Sequence, residues 1–242
     1  MTPPLFVVAS LGSGDTLELT GAEAHHATVK RLGVGELVWL ADGRGGLAEA
    51  EVAEAGRDRL LLTVLSRRQQ PERQPRFTVV QALPKGERAE LAVEVLTELG
   101  VDEIVPWAAS RSIAVWRGEK AARGVERWRR TAVEAAKQSR RHWFPEVCEL
   151  AGTAAVADRV AAADLALVLH EDAVPSLASV SLPASGEVLL VVGPEGGVAP
   201  EELAAFADRG ARTVRLGPEV LRTSTAGAAA LAVLSAGSGR WG

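Results

Sequence analysis

Short apolar or alternating runs separated by glycine-rich turns make up the first quarter of the chain. The runs are Leu5–Val8, Thr16–Leu19, Glu36–Leu40, Leu47–Val52 and Leu60–Val64. Runs of this length between turn residues predict β-strands. One helix is predicted at Ala24–Leu32, where Thr20 and Glu23 stand at capping-box spacing. We therefore expect a small β-barrel of about 65 residues at the start of the chain.

The segment from Arg67 to Arg76 interrupts this pattern. It is polar, contains two prolines and shows no apolar periodicity, which is typical of a connection between domains. We therefore expect a first domain at residues 1–68, a linker at 69–76 and a second domain at 77–242.

Beyond the linker, predicted strands alternate with predicted helices. The strands are Phe77–Leu83, Glu103–Trp107, Leu165–Leu169, Val188–Val192 and Arg212–Leu216, and the helices include Glu87–Leu99, Glu119–Arg140 and Thr225–Ser235. In the first helix, Leu91, Val95 and Leu99 mark an apolar face, and Gly100 follows at the C-cap position. A threonine or serine of the 223–225 segment is expected to cap the last helix. The alternation predicts an α/β fold with a mostly parallel sheet covered on both faces.

Composition narrows the class of protein. Hydrophobic residues make up 47% of the 242 residues, enough for a packed core. No apolar stretch reaches the roughly 18 residues of a membrane span, and the first residues do not resemble a secretory signal, so we expect a cytoplasmic protein. The single cysteine, Cys148, excludes an internal disulfide and a cysteine-rich zinc site. His25 and His26 are adjacent and diverge on a helix, so we expect no metal.

The charge is unevenly distributed. The chain has a net charge of −4, but the segment from Arg111 to Arg141 has ten basic residues against Glu119, Glu126 and Glu134. Clustered arginine is expected where a protein contacts a phosphate backbone. A solvated helix face explains the charge equally well.

Two loops carry the clearest candidate chemistry. Gly193–Gly197 and Leu221–Gly227 each follow a predicted strand and precede a predicted helix, and ligands of open α/β sheets bind at the carboxyl ends of strands. Glu195, with Glu201 and Glu202 behind it, would repel phosphate, so the first loop favours a ligand with cationic character. Purely structural turns remain the alternative. Two glycine-rich matches, Gly43–Ala48 and Gly237–Gly242, lack the strand–loop–helix context of a dinucleotide site.

Several separated blocks resemble the RsmE family, bacterial methyltransferases that act on N3 of a uridine in small-subunit ribosomal RNA. The blocks are Leu83–Arg88, Thr97–Pro106, Arg111-Ser112, Arg127-Trp128, Ala135–Arg141, Pro145–Val147, Val192–Gly197 and Leu216–Ala226. They keep one order from about Phe77 to Leu234, and His25-His26 with Val29–Arg31 form a weaker match in the first domain.

The resemblance implies a fold and a set of partners. The fold is a SPOUT methyltransferase domain with a C-terminal trefoil knot, preceded by a small PUA-like β-barrel domain. The resemblance also leads us to expect S-adenosylmethionine as the cofactor, 16S ribosomal RNA of the small subunit as the substrate, and a homodimer as the assembly.

Residue roles follow from the matched blocks. The expected cofactor-binding residues are Leu169, Gly193, Pro194, Glu195, Gly196, Gly197, Leu216, Gly217, Leu221, Arg222 and Thr223. The expected RNA-binding residues are His25, Lys30, Arg31, Lys85, Arg111, Lys137, Gln138 and Arg141. Arg222 is the first candidate to stabilise a uridine anion, and Arg111 is the second.

This chain departs from the family at one position of the second loop. Family members often have a glutamate where this chain has Ser224, so that glutamate is not an indispensable base here. Two other readings stay open: a non-catalytic RNA-binding or ribosome-assembly protein, and a SPOUT enzyme that methylates ribose 2′-hydroxyls.

Overall fold

The computed structural model describes residues 3–56, 58–86 and 88–241. The chain forms two compact units. One unit gathers Met1–Glu72 with Ala136–Phe144, and the other gathers Arg73–Ala135 with Pro145–Gly242. The predicted division by sequence position places 136–144 in the second domain, whereas its contacts are with the first unit.

The first unit contains a five-stranded sheet and one helix. Its elements are β1 (Leu5–Val7), β2 (Thr16–Thr20), α1 (Gly21–Val29), β3 (Leu37–Ala41), β4 (Gly46–Ala55) and β5 (Arg59–Gln69). The strand order is β1-β3-β4-β5-β2, with β1 parallel to β3 and the other pairs antiparallel. All five predicted strands are confirmed, with ends shifted by a few residues.

The core of this unit follows from strand alternation. Val38 and Leu40 of β3 and Leu60 and Leu62 of β5 are buried, because every second side chain points to the same face of a sheet. Helix α1 covers this core with small residues, Ala24 and Ala27.

The predicted capping box at the start of α1 is wrong. Thr20 is the N-cap residue but makes no side-chain cap hydrogen bond. The Glu23 carboxylate instead accepts hydrogen bonds from the Val7 amide (3.3 Å) and from Nζ of Lys137 (2.7 Å). The Glu23 carboxylate, which the spacing predicts at the helix end, therefore bonds to partners elsewhere in the tertiary structure.

The polar segment after residue 66 begins as a strand. Arg67, Arg68 and Gln69 pair with Ala48, Leu47 and Gly46 of β4, so only residues 70–75 connect the strands β5 and β6. Backbone hydrogen bonds extend β5 where both faces are exposed, which explains why no apolar period marks these residues.

The second unit is built on a six-stranded parallel sheet. Its elements are β6 (Arg76–Ala82), α2 (Arg88–Glu98), β7 (Glu103–Trp107), α3 (Glu119–Gln138), β8 (Glu146–Val147), α4 (Thr153–Ala162), β9 (Leu165–Leu169), a 3-10 turn (Leu177–Ser179), β10 (Glu187–Val192), α5 (Pro200–Ala207), β11 (Arg212–Val214) and α6 (Thr223–Gly237). The last three residues of α3 belong to the first unit. The strand order is β11-β9-β10-β6-β7-β8, and every pair is parallel. This confirms the predicted α/β fold; β8 and α4 are elements that the sequence reading did not propose.

Helices cover both faces of this sheet. Along β10, Leu190 belongs to a core shared with α2 and α6, whereas Leu189 and Val191 belong to a core shared with α4 and Phe206 of α5. Strands buried on both faces explain the unbroken apolar run of β10.

The apolar face predicted for α2 is only partly right, although the helix is confirmed. Leu91 is 41% exposed, whereas Ala92, Val93 and Leu96 are buried. Leu99 does pack, partly buried, against the same core, so the buried face is rotated away from Leu91. The predicted end is confirmed: Gly100 has φ of +93° and the Val101 amide reaches back to the Leu96 carbonyl (3.1 Å). Glu87, the predicted first residue, lies outside the described residues.

The last helix begins two residues earlier than predicted. Arg222 is the N-cap residue, and it makes no side-chain cap hydrogen bond. The hydroxyl of Thr225 donates to the Arg222 carbonyl (3.2 Å), so the predicted threonine or serine cap is wrong. Among the described residues, no helix is long and apolar enough to span a membrane.

Candidate functional site

A cleft of about 330 Å³ lies at the carboxyl ends of β9, β10 and β11. These strands are neighbours and parallel, so the segments that follow them meet at one edge of the sheet. The lining residues are Leu169, His170, Glu171, Val192, Gly193, Pro194, Glu195, Gly197, Val198, Arg215, Leu216, Gly217, Glu219, Val220, Leu221, Arg222, Thr223 and Ala226. The structure thus brings together every expected cofactor-binding residue except Gly196.

The first loop of the cleft is a tight backbone turn. The Gly197 amide donates to the Pro194 carbonyl (2.9 Å), and Gly197 has φ of +73°, which favours glycine. A Cβ on Gly193 would lie 2.7 Å from Cγ2 of Val198. Gly197 is therefore favoured by its backbone conformation and Gly193 by the lack of space beside Val198, and both glycines line the cleft.

Gly196 has a different neighbour. A Cβ at this position would lie 3.2 Å from both the Cβ and the carbonyl oxygen of Arg111, and Nη1 of Arg111 donates to the Gly196 carbonyl (3.3 Å). Gly196 is therefore needed for the contact between the loop and Arg111, on the side of the loop away from the cleft lining.

The second loop is held from inside the sheet by Gln81. This side chain is fully buried, and its Nε2 donates to the carbonyls of Ala82 (3.0 Å) and Thr223 (3.3 Å). Thr223 lines the cleft, so Gln81 connects a central strand to the cleft wall. The sequence reading missed this residue because a lone glutamine in an apolar strand has no spacing that indicates its partner.

The charges around the cleft favour a cationic ligand. Three exposed carboxylates, Glu171, Glu195 and Glu219, line it together with Arg215 and Arg222. The sequence reading had identified only Glu195 and Arg222 of these. His170 and Glu171 directly follow β9, so the strand-end rule that pointed to the glycine loops would also have pointed to them.

Glu202 does not contribute to this charge. It is buried, and its carboxylate accepts hydrogen bonds from the Ser110 amide (2.9 Å), the Thr153 hydroxyl (2.9 Å) and the Ala199 amide (3.1 Å). It closes the first turn of α5 and joins that helix to neighbouring segments.

Comparisons with known proteins agree with this geometry. An RNA methyltransferase domain model matches residues 71–235, and an RNA methyltransferase PUA domain model matches residues 19–65. A ribosomal RNA small subunit methyltransferase E from Mycobacterium bovis is 47% identical, over 97% of this chain and 94% of its own length. One from Bacillus subtilis is 30% identical, over 91% of this chain and 90% of its own length.

The chain belongs to the ribosomal RNA small subunit methyltransferase E family. A crystal structure of a family member from Neisseria gonorrhoeae, bound to S-adenosyl methionine, has a TM-score of 0.89 at 27% identity. The alignment covers 97% of this chain and 98% of that chain. The fold implied by the resemblance is confirmed as an α/β methyltransferase domain preceded by a PUA domain, while the trefoil knot stays a prediction.

Ser224, where the resemblance leads us to expect a glutamate, lies outside the cleft lining. Its side chain is buried in the first turn of α6, next to Thr223, which does line the cleft. A carboxylate at this position would be buried, where an unpaired charge is costly.

The expected RNA-binding residues fall into the two units. In the second unit, the Lys85 amide donates to Oε1 of Glu195 (3.3 Å) and Arg111 contacts Gly196, so both flank the first loop of the cleft. In the first unit, His25, Lys30, Arg31 and Gln138 are exposed and Arg141 is half-buried. The first unit thus contains both the block with His25, Lys30 and Arg31 and the block with Gln138 and Arg141. These two blocks are separated by about a hundred residues in the chain.

Lys137 does not fit the expected RNA contact. Its side chain is 7% exposed, and its ammonium pairs with Glu23 at 2.7 Å. A buried ammonium that already pairs with a carboxylate is not accessible to an RNA phosphate, so we assign Lys137 to the internal packing of the first unit.

The residues that the structure describes contain no group of three or more histidine, cysteine or acidic side chains placed to hold a metal ion. Cys148 is half-buried, and its thiol donates to Oε1 of Glu103 (3.0 Å). Burial and the adjacent Glu103 carboxylate raise the pKa of the Cys148 thiol to about 12, so it stays protonated at neutral pH.

Proposed function

We propose that this chain is an S-adenosylmethionine-dependent methyltransferase that modifies N3 of a specific uridine in 16S ribosomal RNA. The observation that carries the proposal is the cleft, which is lined by both glycine-bearing loops and by three carboxylates at the ends of three parallel strands. Relatives named as small-subunit ribosomal RNA methyltransferases and a family structure with bound S-adenosyl methionine support it.

The residues present fit this cofactor. S-adenosylmethionine supplies a methyl group on a positively charged sulfonium. The backbone around Gly193–Gly197, Leu216 and Gly217 would hold its neutral parts, and Leu169 and Leu221 add apolar surface. The carboxylates of the cleft complement its positive charges.

The RNA base must be unpaired in order to react. N3 lies on the Watson–Crick edge of uracil, so the uridine must be extruded or single-stranded. In the reaction N3 loses its proton, a bond forms between N3 and the methyl carbon, and the bond between that carbon and sulfur breaks. The Arg222 guanidinium at the cleft would stabilise the N3 anion, and the carboxylates of Glu171, Glu195 and Glu219 are available to accept the proton.

Both units would hold the RNA. The first unit offers His25, Lys30, Arg31, Gln138 and Arg141, and the second offers Lys85 and Arg111 beside the cleft. We further propose a cytoplasmic homodimer. The family resemblance supports the homodimer, and sedimentation of the purified chain at several concentrations tests it.

The deciding experiment is mass spectrometry of nucleosides from 16S ribosomal RNA, taken from cells with and without the gene. We expect 3-methyluridine to disappear without the gene and to return when the gene is restored. A change in a 2′-O-methylated nucleoside instead would assign the chain to ribose methylation. Unchanged nucleosides, together with absent S-adenosylmethionine binding in calorimetry, would favour a non-catalytic RNA-binding protein.

A further inference from the structure

A second cavity of about 730 Å³ lies in the methyltransferase unit, outside the cleft. Its walls include Trp116, the start of α2 and the first two turns of α3, and none of its lining residues is shared with the cleft. We call it the Trp116 pocket. The proposed reaction leaves it without a role.

Trp116 is held in a fixed position. A Cβ on Gly124 would lie 2.7 Å from atoms of the indole, so the ring rests directly on the backbone of α3. Its edge meets Trp128, with ring centroids 5.3 Å apart and an angle of 74° between the rings. The remaining indole surface lines the cavity. A rigid aromatic surface of this kind needs little ordering before a flat ligand stacks on it.

Cations surround this aromatic surface. Lys120, Arg123 and Arg127 line the pocket from one side of α3, at the i, i+3 and i+7 spacing of a single helix face. Arg127 pairs with Glu90 at 3.2 Å and Arg123 pairs with Glu119, but both arginines remain more than 60% exposed. Exposed pairs of this kind are weak, so both guanidinium groups can exchange a carboxylate for a phosphate. Lys120 has no ion pair within the described ranges.

The Trp116 pocket and the cleft are adjacent along the chain, at the loop that follows β6. Pro84 and Gly86 line it, whereas the amide of Lys85, between them, contacts Glu195 of the cleft. An RNA strand with one nucleotide in the cleft would therefore cross Lys85 to reach the pocket. Chain connectivity places an aromatic platform, a set of cations and the proposed reaction site along one short path.

We propose that the Trp116 pocket binds an unpaired nucleotide of the substrate RNA near the target uridine. The base stacks on Trp116, and the neighbouring phosphates contact Lys120, Arg123 and Arg127. The inference rests on the proposed function, because it assigns a binding place to part of the RNA strand that this function requires. The net positive charge of the lining favours RNA over a second copy of this acidic chain.

The test is the binding of a fluorescein-labelled ten-nucleotide oligouridylate, measured by anisotropy at several salt concentrations. We expect Trp116→Ala to weaken binding about tenfold or more, while Trp116→Phe keeps most of the affinity because it still stacks. Lys120→Gln should lower the slope of log affinity against log salt by about one. Calorimetric S-adenosylmethionine affinity should stay unchanged in all three variants.

Two controls keep the outcome decisive. Ala114→Leu places a bulkier side chain on the wall of the pocket while leaving Trp116 in place, so it should also weaken binding even if Trp116→Ala fails to fold. A hairpin RNA of paired bases should bind wild type, both Trp116 variants and Ala114→Leu alike, because it offers no unpaired base to stack, whereas Lys120→Gln should weaken it as well, because this lysine contacts phosphate. Wild-type affinity of both Trp116→Ala and Ala114→Leu for the oligonucleotide would overturn the proposal, as would a loss that follows a change in oligomeric state. Binding is scored without methylation, so failure of the proposed reaction would be seen separately.

Discussion

Arg222 and Arg111 are both exposed arginines beside a glycine-bearing loop, but they occupy different places. Arg222 lines the cleft, at the residue before α6 begins. Arg111 lies behind the first loop and contacts the Gly196 carbonyl. The geometry therefore supports the order expected from the sequence, with Arg222 as the first candidate for contact with the reacting base and Arg111 as the second.

Arg222→Ala should lower kcat for RNA methylation at least about a hundredfold, because a cation placed where charge develops contributes at that scale. S-adenosylmethionine affinity, measured by calorimetry, should stay within a few-fold of wild type. Arg111→Ala is the matched variant and should mainly raise KM for RNA. Collapse of cofactor binding in Arg222→Ala would contradict the assigned role.

Cys148 offers a prediction about pH. Its thiol has a pKa of about 12 in the folded protein against 9.0 ordinarily, first because of burial and then because of Glu103. A raised pKa stabilises the fold below the ordinary value and this contribution is lost as the pH rises above about 9. The free energy of unfolding should therefore fall more steeply above this pH in wild type than in Cys148→Ser, measured by denaturant titration. Parallel curves would show that the thiol is not involved.

At the scale of elements, α6 packs closely against its neighbours, and an ion pair holds the residues that follow it. A Cβ on Gly227 would lie 3.2 Å from Cγ2 of Val192 and 3.3 Å from Cδ2 of Leu96, so glycine lets this helix approach β10 and α2. Just past the helix, Arg240 forms a two-point pair with Asp102 at 2.7 and 3.2 Å. It also donates to the carbonyls of Pro75 and Gly100.

Arg240→Ala should lower the free energy of unfolding by about 3 kcal/mol, because it removes the two-point ion pair of the largely buried Asp102 carboxylate. Chemical denaturation measures the change. Trp241→Ala, at a neighbouring side chain that is 51% exposed, is the control and should have little effect. Equal stability of the two variants would show that the pair adds nothing to the fold.

At the scale of the whole molecule, the chain returns to its first unit after α3. The Gly45 amide donates to the His142 carbonyl (2.9 Å), the Phe144 amide donates to the Gly43 carbonyl (3.0 Å), and a Cβ on Gly45 would lie 2.6 Å from the Trp143 ring. The glycine-rich match at Gly43–Ala48 thus has a structural use, as the surface on which a distant segment packs.

Lys137→Met should therefore act on stability more than on RNA contact. We expect the free energy of unfolding to fall by about 2 kcal/mol, since Glu23 loses the buried ammonium that it pairs with. Lys30→Met, at an exposed lysine of the same unit, should leave stability unchanged and weaken RNA binding in a filter assay. Normal stability with weakened RNA binding in Lys137→Met would restore its expected role.

Much of the architecture could be read from local pattern. The strands Glu103–Trp107 and Leu165–Leu169 have the predicted ends, because apolar runs between turn residues depend on nearby sequence alone. The buried face of α2 and the two N-caps could not be read this way. Packing of α2 in the core buries Ala92, Val93 and Leu96 and leaves Leu91 exposed, and the Glu23 carboxylate bonds to tertiary partners in place of its own helix end.

Local sequence was enough to predict the alternation of strands and helices, the glycine loops at strand ends and the family blocks, since each depends on residues close together in the chain. The contact of Gly196 with Arg111, the place of His170 and Glu171 in the cleft and the burial of Lys137 emerge only in the folded chain. Burial and charge pairing depend on which distant segments meet, and parallel strand order, which local pattern does not encode, decides those meetings.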